Sequence, residues 1–338
     1  MTAEALTVAV TGPTGTFGAG LLPLLEEDER VGRVVGIARR PLDPAARRWS
    51  KLDYRQGDVR DLDALTRAFA GADVVVHLAF MITGAADRRT TRSINVDGTL
   101  NAFRAAADAG VSRFVYASSV AAYGFHADNP VPMDETWPVR PAAHLFYAQE
   151  KAELETRLQQ ESERHPSVDV YLLRPPVVLG PNAAGAKLPP ALAALGGRLM
   201  RLASHVPGGG LPLPVPALEL QVIHEADVGS ALMRCITAAG PPGAYNIAAD
   251  ETITAADVAG HLGVRPVRAP TGLMALAGRG IAAVPLPAFL PSVTEWAEVL
   301  SHPSVMDTGK ARRELGWRPR YSADEALAAT FGARAAPD

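Results

Sequence analysis

Tyr147 and Lys151 stand four residues apart in a stretch, Ala142 to Arg164, whose pattern predicts one long helix. Residues i and i+4 share a helix face, so the phenol and the ammonium point the same way. A phenol can give a proton to a carbonyl oxygen, and a phenolate can take one from an alcohol. A free phenol titrates near pH 10. A neighbouring ammonium, together with the positive ring of an oxidised hydride carrier, favours the phenolate and is expected to pull that value towards neutrality, which would make the pair an acid–base device. Twenty-eight positions before Tyr147, a strand-like run from Arg113 ends in Ser118-Ser119. A serine hydroxyl there can hydrogen-bond the same substrate oxygen and fix its orientation. Lys151 carries extra weight because only four of the 33 basic residues are lysines: Lys51, Lys151, Lys187 and Lys310. Sites that merely want positive charge have mostly gone to arginine, so a lysine hints that ammonium chemistry is wanted.

Proton transfer needs a hydride partner to become oxidation or reduction, and the N-terminus offers a place for one. Thr11-Gly12-Pro13-Thr14-Gly15-Thr16-Phe17-Gly18 follows an apolar run, Leu6 to Thr11, and opens a helix pattern over 19–29. Gly12 permits a tight turn, Gly15 lets backbone approach a pyrophosphate, and Gly18 allows close helix–strand packing. The helix start then offers free N–H groups and the positive end of a dipole to phosphates. The second strand ends Gly36-Ile37-Ala38-Arg39-Arg40. An acidic residue there would hold the ribose 2′-hydroxyl of NAD. Arg39 and Arg40 instead suit the 2′-phosphate of NADP, so NADP is favoured and NAD is the alternative. Asp58, after a third strand over 53–57, is placed either to meet the adenine edge or to cap the next helix.

Strand-like runs at 6–11, 34–38, 53–57, 73–79, 113–118 and 168–174 alternate with helix patterns at 19–29, 62–70, 91–109 and 142–164. Continuous apolar strands separated by helices predict an α/β fold, a doubly wound parallel sheet that binds ligands at the carboxyl ends of its strands. Residues 1–180 are therefore expected to form the dinucleotide-binding domain, with 217–250 returning to it. Residues 181–216 and 251–338 would form a smaller, interleaved substrate-binding region. The run His205–Pro216 is so rich in Pro and Gly that it is expected to be mostly irregular.

Composition closes off several alternatives. A net charge of -3 gives no reason to expect nucleic acid or an anionic membrane as partner. No run reaches the ~18 apolar residues of a membrane helix, and no basic segment precedes Leu6, so a cytoplasmic location is expected. Cys235 is the only cysteine, which excludes an intrachain disulfide. No set of residues has metal-ligand spacing. His77, in a buried strand, is read as a core histidine.

Together these motifs resemble the extended short-chain dehydrogenase/reductase family, the NAD-dependent epimerase/dehydratase group, whose fold is the Rossmann type. The resemblance runs nearly the whole chain: Val10–Gly18, His77-Leu78-Ala79, Ile94–Thr99, Tyr116–Gly124, Leu173–Pro181, Ala244–Ile247 and Leu315–Pro319. It implies that Tyr147 is the acid/base and that Lys151 holds the ribose hydroxyls. It selects Ser119, five residues before Gly124, over Ser118 as the group that polarises substrate. Asn95 would position a relay water, although a structural, helix-bending Asn is the other reading. Gly12, Thr14, Gly15, Thr16, Phe17, Gly18, Arg39, Arg40, Asp58, Val59, Leu78, Ala79, Pro175 and Val177 would line the cofactor, Val177 at the nicotinamide carboxamide. Phe80, Met81, His144 and Gln221 would border substrate beside Ser119. The helices 91–109 and 142–164 could pair in a homodimer, as in the family.

One departure bears on the substrate. Nucleotide-sugar members carry Arg in the stretch matching Leu220-Gln221-Val222-Ile223-His224, and here Leu220 takes its place. With Phe80, Met81 and Ile82 also apolar, the expected substrate is a less charged carbonyl or alcohol. The leading expectation is an NAD(P)-dependent oxidoreductase. An epimerase or dehydratase working by transient oxidation, and a non-catalytic NADP-binding regulator, are the alternatives.

Overall fold

A computed structural model describes residues 5–82, 87–143, 145–183, 212–216, 219–261, 265–269 and 302–332. The first half is built of β1 (Leu6–Thr11), α1 (Thr16–Glu27), β2 (Val31–Ala38), β3 (Leu52–Gln56), α2 (Leu62–Phe69) and β4 (Val74–His77). Next come α3 (Arg88–Arg92), a π-helical turn (Ser93–Asp97), α4 (Gly98–Asp108), β5 (Arg113–Ala117), α5 (Phe146–Arg164) and β6 (Asp169–Arg174). The remainder holds β7 (Val177–Leu179), β8 (Pro212–Pro216), β9 (Glu219–His224), α6 (Glu225–Ile236), β10 (Gly243–Asn246) and β11 (Thr252–Thr254). It continues with α7 (Ala255–His261), β12 (Arg265–Ala269), α8 (Gly309–Glu314) and α9 (Ala323–Phe331).

Seven strands form one parallel sheet in the order β10-β6-β5-β4-β1-β2-β3. The central strands are apolar on both faces because each face is covered. One buried cluster joins Val8, Val10 and Val76 to Leu21, Leu25, Leu232 and Ile236 of α1 and α6. The other joins Ala9, Val75 and Phe114 to Leu65, Phe103, Leu154 and Leu158 of α2, α4 and α5. The strand order reverses between β1 and β4, so the crevice for a ligand lies over the carboxyl ends of those two strands. A smaller sheet, β11-β9-β7, packs through Leu179, Val222 and Ile253 on α9.

Helices α1 and α6 cross where neither has a side chain. A Cβ on Gly20 would lie 2.0 Å from the Glu225 carbonyl oxygen, and one on Gly229 would lie 2.1 Å from the Gly20 carbonyl oxygen. Under the end of β6, a buried polar knot ties strands to α5. Arg174 reaches both carboxylate oxygens of Glu155, Ser118 donates to the same carboxylate at 2.5 Å, and Arg174 also donates to the Tyr123 hydroxyl at 2.6 Å.

Two expectations are corrected. The helix pattern at 91–109 is not continuous: its first turns are α3 and the π-turn, and only α4 is regular. The segment before Pro216 is not wholly irregular, because β8 pairs in parallel with β12. Successive residues of a strand point their N–H groups to opposite sides. Prolines 212, 214 and 216 therefore all lack donors on one side, leaving Leu213 and Val215 to serve the neighbour. The sequence also carries short helix patterns at 271–283 and 291–300, which lie outside the described residues.

Candidate active site

The glycine turn closes against the end of β4. Gly12 has a φ of 70°, and a Cβ there would lie 2.7 Å from the Ala79 amide nitrogen. A Cβ on Gly18 would lie 2.0 Å from the Pro13 carbonyl oxygen. Gly15 is the residue that caps α1; it supplies no side-chain cap, and the first turn holds no acidic residue. The first N–H groups of α1 are thus left to an external acceptor, which suits a diphosphate. Thr16 donates to the Asn182 carbonyl at 3.3 Å, and Phe17 packs on the core beneath.

At the end of β2, Arg40 donates to the Thr14 carbonyl at 2.7 Å, which lays its guanidinium across the glycine turn. Arg39 is exposed and lies close enough to Asp58 to help hold that carboxyl below its ordinary value. The larger cause is Arg60, which binds both Asp58 oxygens. Asp58 is thereby engaged as a turn residue. Val59 is buried, with its side chain against Gly98, so only its backbone is left for a ligand. Pro175 is buried and Val177 is exposed, on the far side of β5.

Ser119, Tyr147 and Lys151 converge where β5 ends and α5 begins. The Ser119 hydroxyl lies near enough to the Tyr147 phenol to favour its ionised form, and Ser119 Oγ accepts from the Ala121 amide at 3.2 Å. Lys151 Nζ is buried and donates to the Ala117 carbonyl at 2.7 Å and to the Tyr116 hydroxyl at 3.1 Å. Burial lowers its pKa to about 7, against the opposing charges of Glu155 and Glu150. The expectation of a lowered phenol is not met by the protein's own groups. Burial pushes Tyr147 up to about 12, with the Ser119 hydroxyl opposing it.

The loop after β4 completes the site. Phe80 stacks its ring on the Lys151 ammonium, 3.7 Å from the centroid, and meets the Tyr147 ring edge-on at 5.6 Å. Met81 is gripped by Asn95, whose Oδ1 accepts from the Met81 amide at 2.8 Å while Nδ2 donates to the Met81 carbonyl at 2.9 Å. The other Nδ2 hydrogen goes to Glu150 Oε2 at 2.7 Å. Both amide hydrogens are spent on protein, so Asn95 is a clamp rather than a holder of a relay water. It is also the kinked, structural Asn, since it sits in the π-turn.

A hydrogen-bond chain of fixed direction runs beneath this loop. Thr99 donates to the Asn95 carbonyl at 2.5 Å, so its oxygen accepts from His77 Nε2 at 3.0 Å. His77 Nδ1 then accepts from the Thr11 hydroxyl at 2.8 Å, and that hydroxyl accepts from the Ala79 amide at 3.3 Å. Burial lowers the His77 pKa to about 3, which keeps the ring neutral.

One substrate candidate is placed elsewhere. Gln221 is a backbone clamp, with its amide bonded at both ends to the Met306 main chain. Its buried side chain belongs to a cleft of about 420 Å³ with Asp307 and Arg312. His144 lies outside the described residues. Leu220 packs on the apolar cluster of the smaller sheet. The sequence reading missed Glu150 and Tyr116: neither stands at a spacing that marks it, and each matters only through the loop and lysine it meets in space. Among the described residues, no group of His, Cys, Asp and Glu could hold a metal ion, and no helix is long and apolar enough to cross a membrane.

Comparison with known proteins decides the family. The sequence model of the NAD dependent epimerase/dehydratase family matches residues 8–248. The chain belongs to that family. It is 28% identical over 336 residues to the uncharacterized protein y4nG of Sinorhizobium fredii, covering 96% of this chain and 78% of that one. The crystal structure of gox2253 superposes with a TM-score of 0.72 at 26% identity, over 96% of both chains. UDP-glucose 4-epimerase of Thermotoga maritima, solved with UDP-glucose, shares the fold at a TM-score of 0.71 and 20% identity, over 96% of this chain and 97% of that one. The doubly wound parallel sheet read from the sequence is thus the fold of this epimerase/dehydratase family member.

Proposed function

We propose that this chain is an NAD(P)-dependent oxidoreductase acting on a carbonyl or alcohol of low charge, with Tyr147 as its acid/base. The observation that carries the reading is the convergence of Ser119, Tyr147 and Lys151: the Ser119 hydroxyl is near enough to the phenol to oppose the rise in its pKa, and the buried Lys151 ammonium lies 5.9 Å from the centre of the Tyr147 ring. Ser119 and Tyr147 hold one oxygen of the substrate between them. Tyr147 moves a proton onto or off that oxygen. Lys151 is fixed by the Ala117 carbonyl and would hold the ribose hydroxyls of a bound cofactor. Gly12, Gly15, Gly18 and the start of α1 would seat the diphosphate, and Arg39 and Arg40 the 2′-phosphate of NADP. A nicotinamide bound there supplies or accepts the hydride and, when oxidised, brings the positive charge that favours phenolate. Residues 1–180 with 217–250 would form the cofactor half of this scheme, and 181–216 with 251–338 the substrate half.

A second reading, an epimerase or dehydratase that oxidises transiently, draws on the fold shared with UDP-glucose 4-epimerase. Leu220 weighs against a nucleotide sugar, because an apolar side chain packed on the smaller sheet cannot clamp a diphosphate. Tyr147→Phe is the direct test. It should cut NADPH-dependent turnover of apolar ketones by about 10²–10⁴-fold while leaving cofactor affinity intact; turnover at the unmutated rate would end the assignment. Mass spectrometry of the purified protein separates the readings: tightly held NAD points to transient oxidation, and exchangeable NADPH to net reduction.

A further inference from the structure

Glu150 lies on α5 between Tyr147 and Lys151, yet it faces neither as a hydrogen-bond partner. Its side chain is buried, with Oε2 accepting from Asn95 Nδ2 at 2.7 Å and Oε1 having no partner. Burial pushes its pKa up. The nearest guanidinium, that of Arg92, is committed to Glu153 through two hydrogen bonds of 2.6 Å. A buried carboxyl with an orphan oxygen costs stability, and an apolar side chain of the same length would pack there without that cost. Its charge favours the Lys151 ammonium, but its one hydrogen bond, through Oε2, goes to Asn95.

The Asn95 amide has two orientations of almost equal shape. In one, the carbonyl meets the Met81 amide hydrogen and Nδ2 meets the Met81 carbonyl. In the other, both contacts become repulsive, and the amide oxygen also faces the Glu150 carboxyl. An acceptor at Glu150 thus selects the orientation that grips Met81. Met81 follows Phe80, whose ring covers the Lys151 ammonium and abuts Tyr147. We propose that Glu150 is a positioning residue: acting through Asn95, it fixes the Phe80–Met81 loop against Tyr147 and Lys151 and so sets the apolar wall that the substrate meets. This deepens the function proposed above and rests on its assignment of the Tyr147–Lys151 site.

The scarcity of lysine makes the contact measurable without substrate. In the full chain labelled with ¹³C-lysine, the ε-methylene signal of Lys151, assigned by Lys151→Arg, should be shifted upfield by the Phe80 ring current. Phe80→Leu should abolish that shift. Glu150→Met should move the signal at least halfway to its Phe80→Leu position, with an unchanged or raised thermal midpoint, whereas Glu150→Gln, which keeps an acceptor, should retain the wild-type signal. Asn95→Asp, which puts an acceptor opposite Glu150, should behave like Glu150→Met. The proposal is overturned if Glu150→Met keeps the wild-type signal, if Glu150→Gln loses it, or if Glu150→Met fails to fold, since the carboxyl would then serve the fold itself. None of these signals depends on turnover, so failure of the acid/base assignment would be seen separately in Tyr147→Phe.

Discussion

Phe80 and Lys151 form a buried cation–π pair, with the ammonium nitrogen 3.7 Å from the ring centroid. The ring offers the ammonium partial compensation for lost water, but not enough to hold its ordinary affinity for a proton. With the pKa lowered to about 7 from an ordinary 10.5, the unfolded chain binds more protons than the folded one between those values. This group therefore makes stability rise with pH from about 7 to about 10.5, and the cost of burying the charge is fully present below about 7. The Tyr147 phenol, raised to about 12, acts in the opposite sense, and only above about pH 10. Urea unfolding at pH 7 and pH 9 should show the wild-type midpoint rising relative to that of Lys151→Met. Parallel pH dependence in the two proteins would show that Lys151 is not held near neutrality.

Arg39 and Arg40 do different work at the end of β2. Both are exposed, but Arg40 already spends a hydrogen bond on the Thr14 carbonyl. Charge-assisted hydrogen bonds are worth about 1.5–3 kcal/mol. Arg39→Ala should thus weaken NADP(H) roughly 10- to 100-fold and leave NAD(H) almost unchanged, as titrated by cofactor fluorescence. Tighter binding of NAD(H) than of NADP(H) by the wild type, with no response to Arg39→Ala, would remove the 2′-phosphate reading.

Gly229 tests how α1 is held. An alanine Cβ there would lie 2.1 Å from the Gly20 carbonyl oxygen, a backbone atom that cannot swing aside. Alanine is worth about 1 kcal/mol more than glycine inside a helix, but separating packed helices costs about 1–3 kcal/mol. Gly229→Ala should lower the urea midpoint and weaken cofactor binding, because α1 carries the glycine turn at its start. A raised midpoint, as an uncrowded helical glycine would give, contradicts this packing.

The sequence exposed those parts of the site that rest on local pattern. The glycine turn is legible because its three glycines answer to backbone geometry within one turn and one helix. The Tyr147–Lys151 pair is legible because helix periodicity alone aligns it. Asn95 is only half legible: its place in the motif can be read, but the π-turn arises from its grip on Met81, a residue of another segment. Glu150 has no local signature, since its meaning comes from an amide that it orients. The strand at Pro212–Pro216 was hidden by its prolines, whose alternate spacing becomes permissible only once β12 lies on one side. The phenol's surroundings were only partly legible, because spacing reports a nearby ammonium but not the burial that opposes it.

The π-turn at Ser93–Asp97 also bears on how this site tolerates change in chain length. Each residue advances a helix by about 100° and 1.5 Å. Deleting one residue there would restore ordinary helical hydrogen bonding from α3 into α4, a gain for the backbone taken alone. It would also rotate everything on one side of the cut by about 100°, withdrawing the Asn95 amide from Met81 or Arg92 from Glu153. The turn behaves as a one-residue insertion that the surrounding contacts have made irreversible, so lineages of this fold should vary in residue type around 93–97, Asn95 excepted, before they vary in residue number.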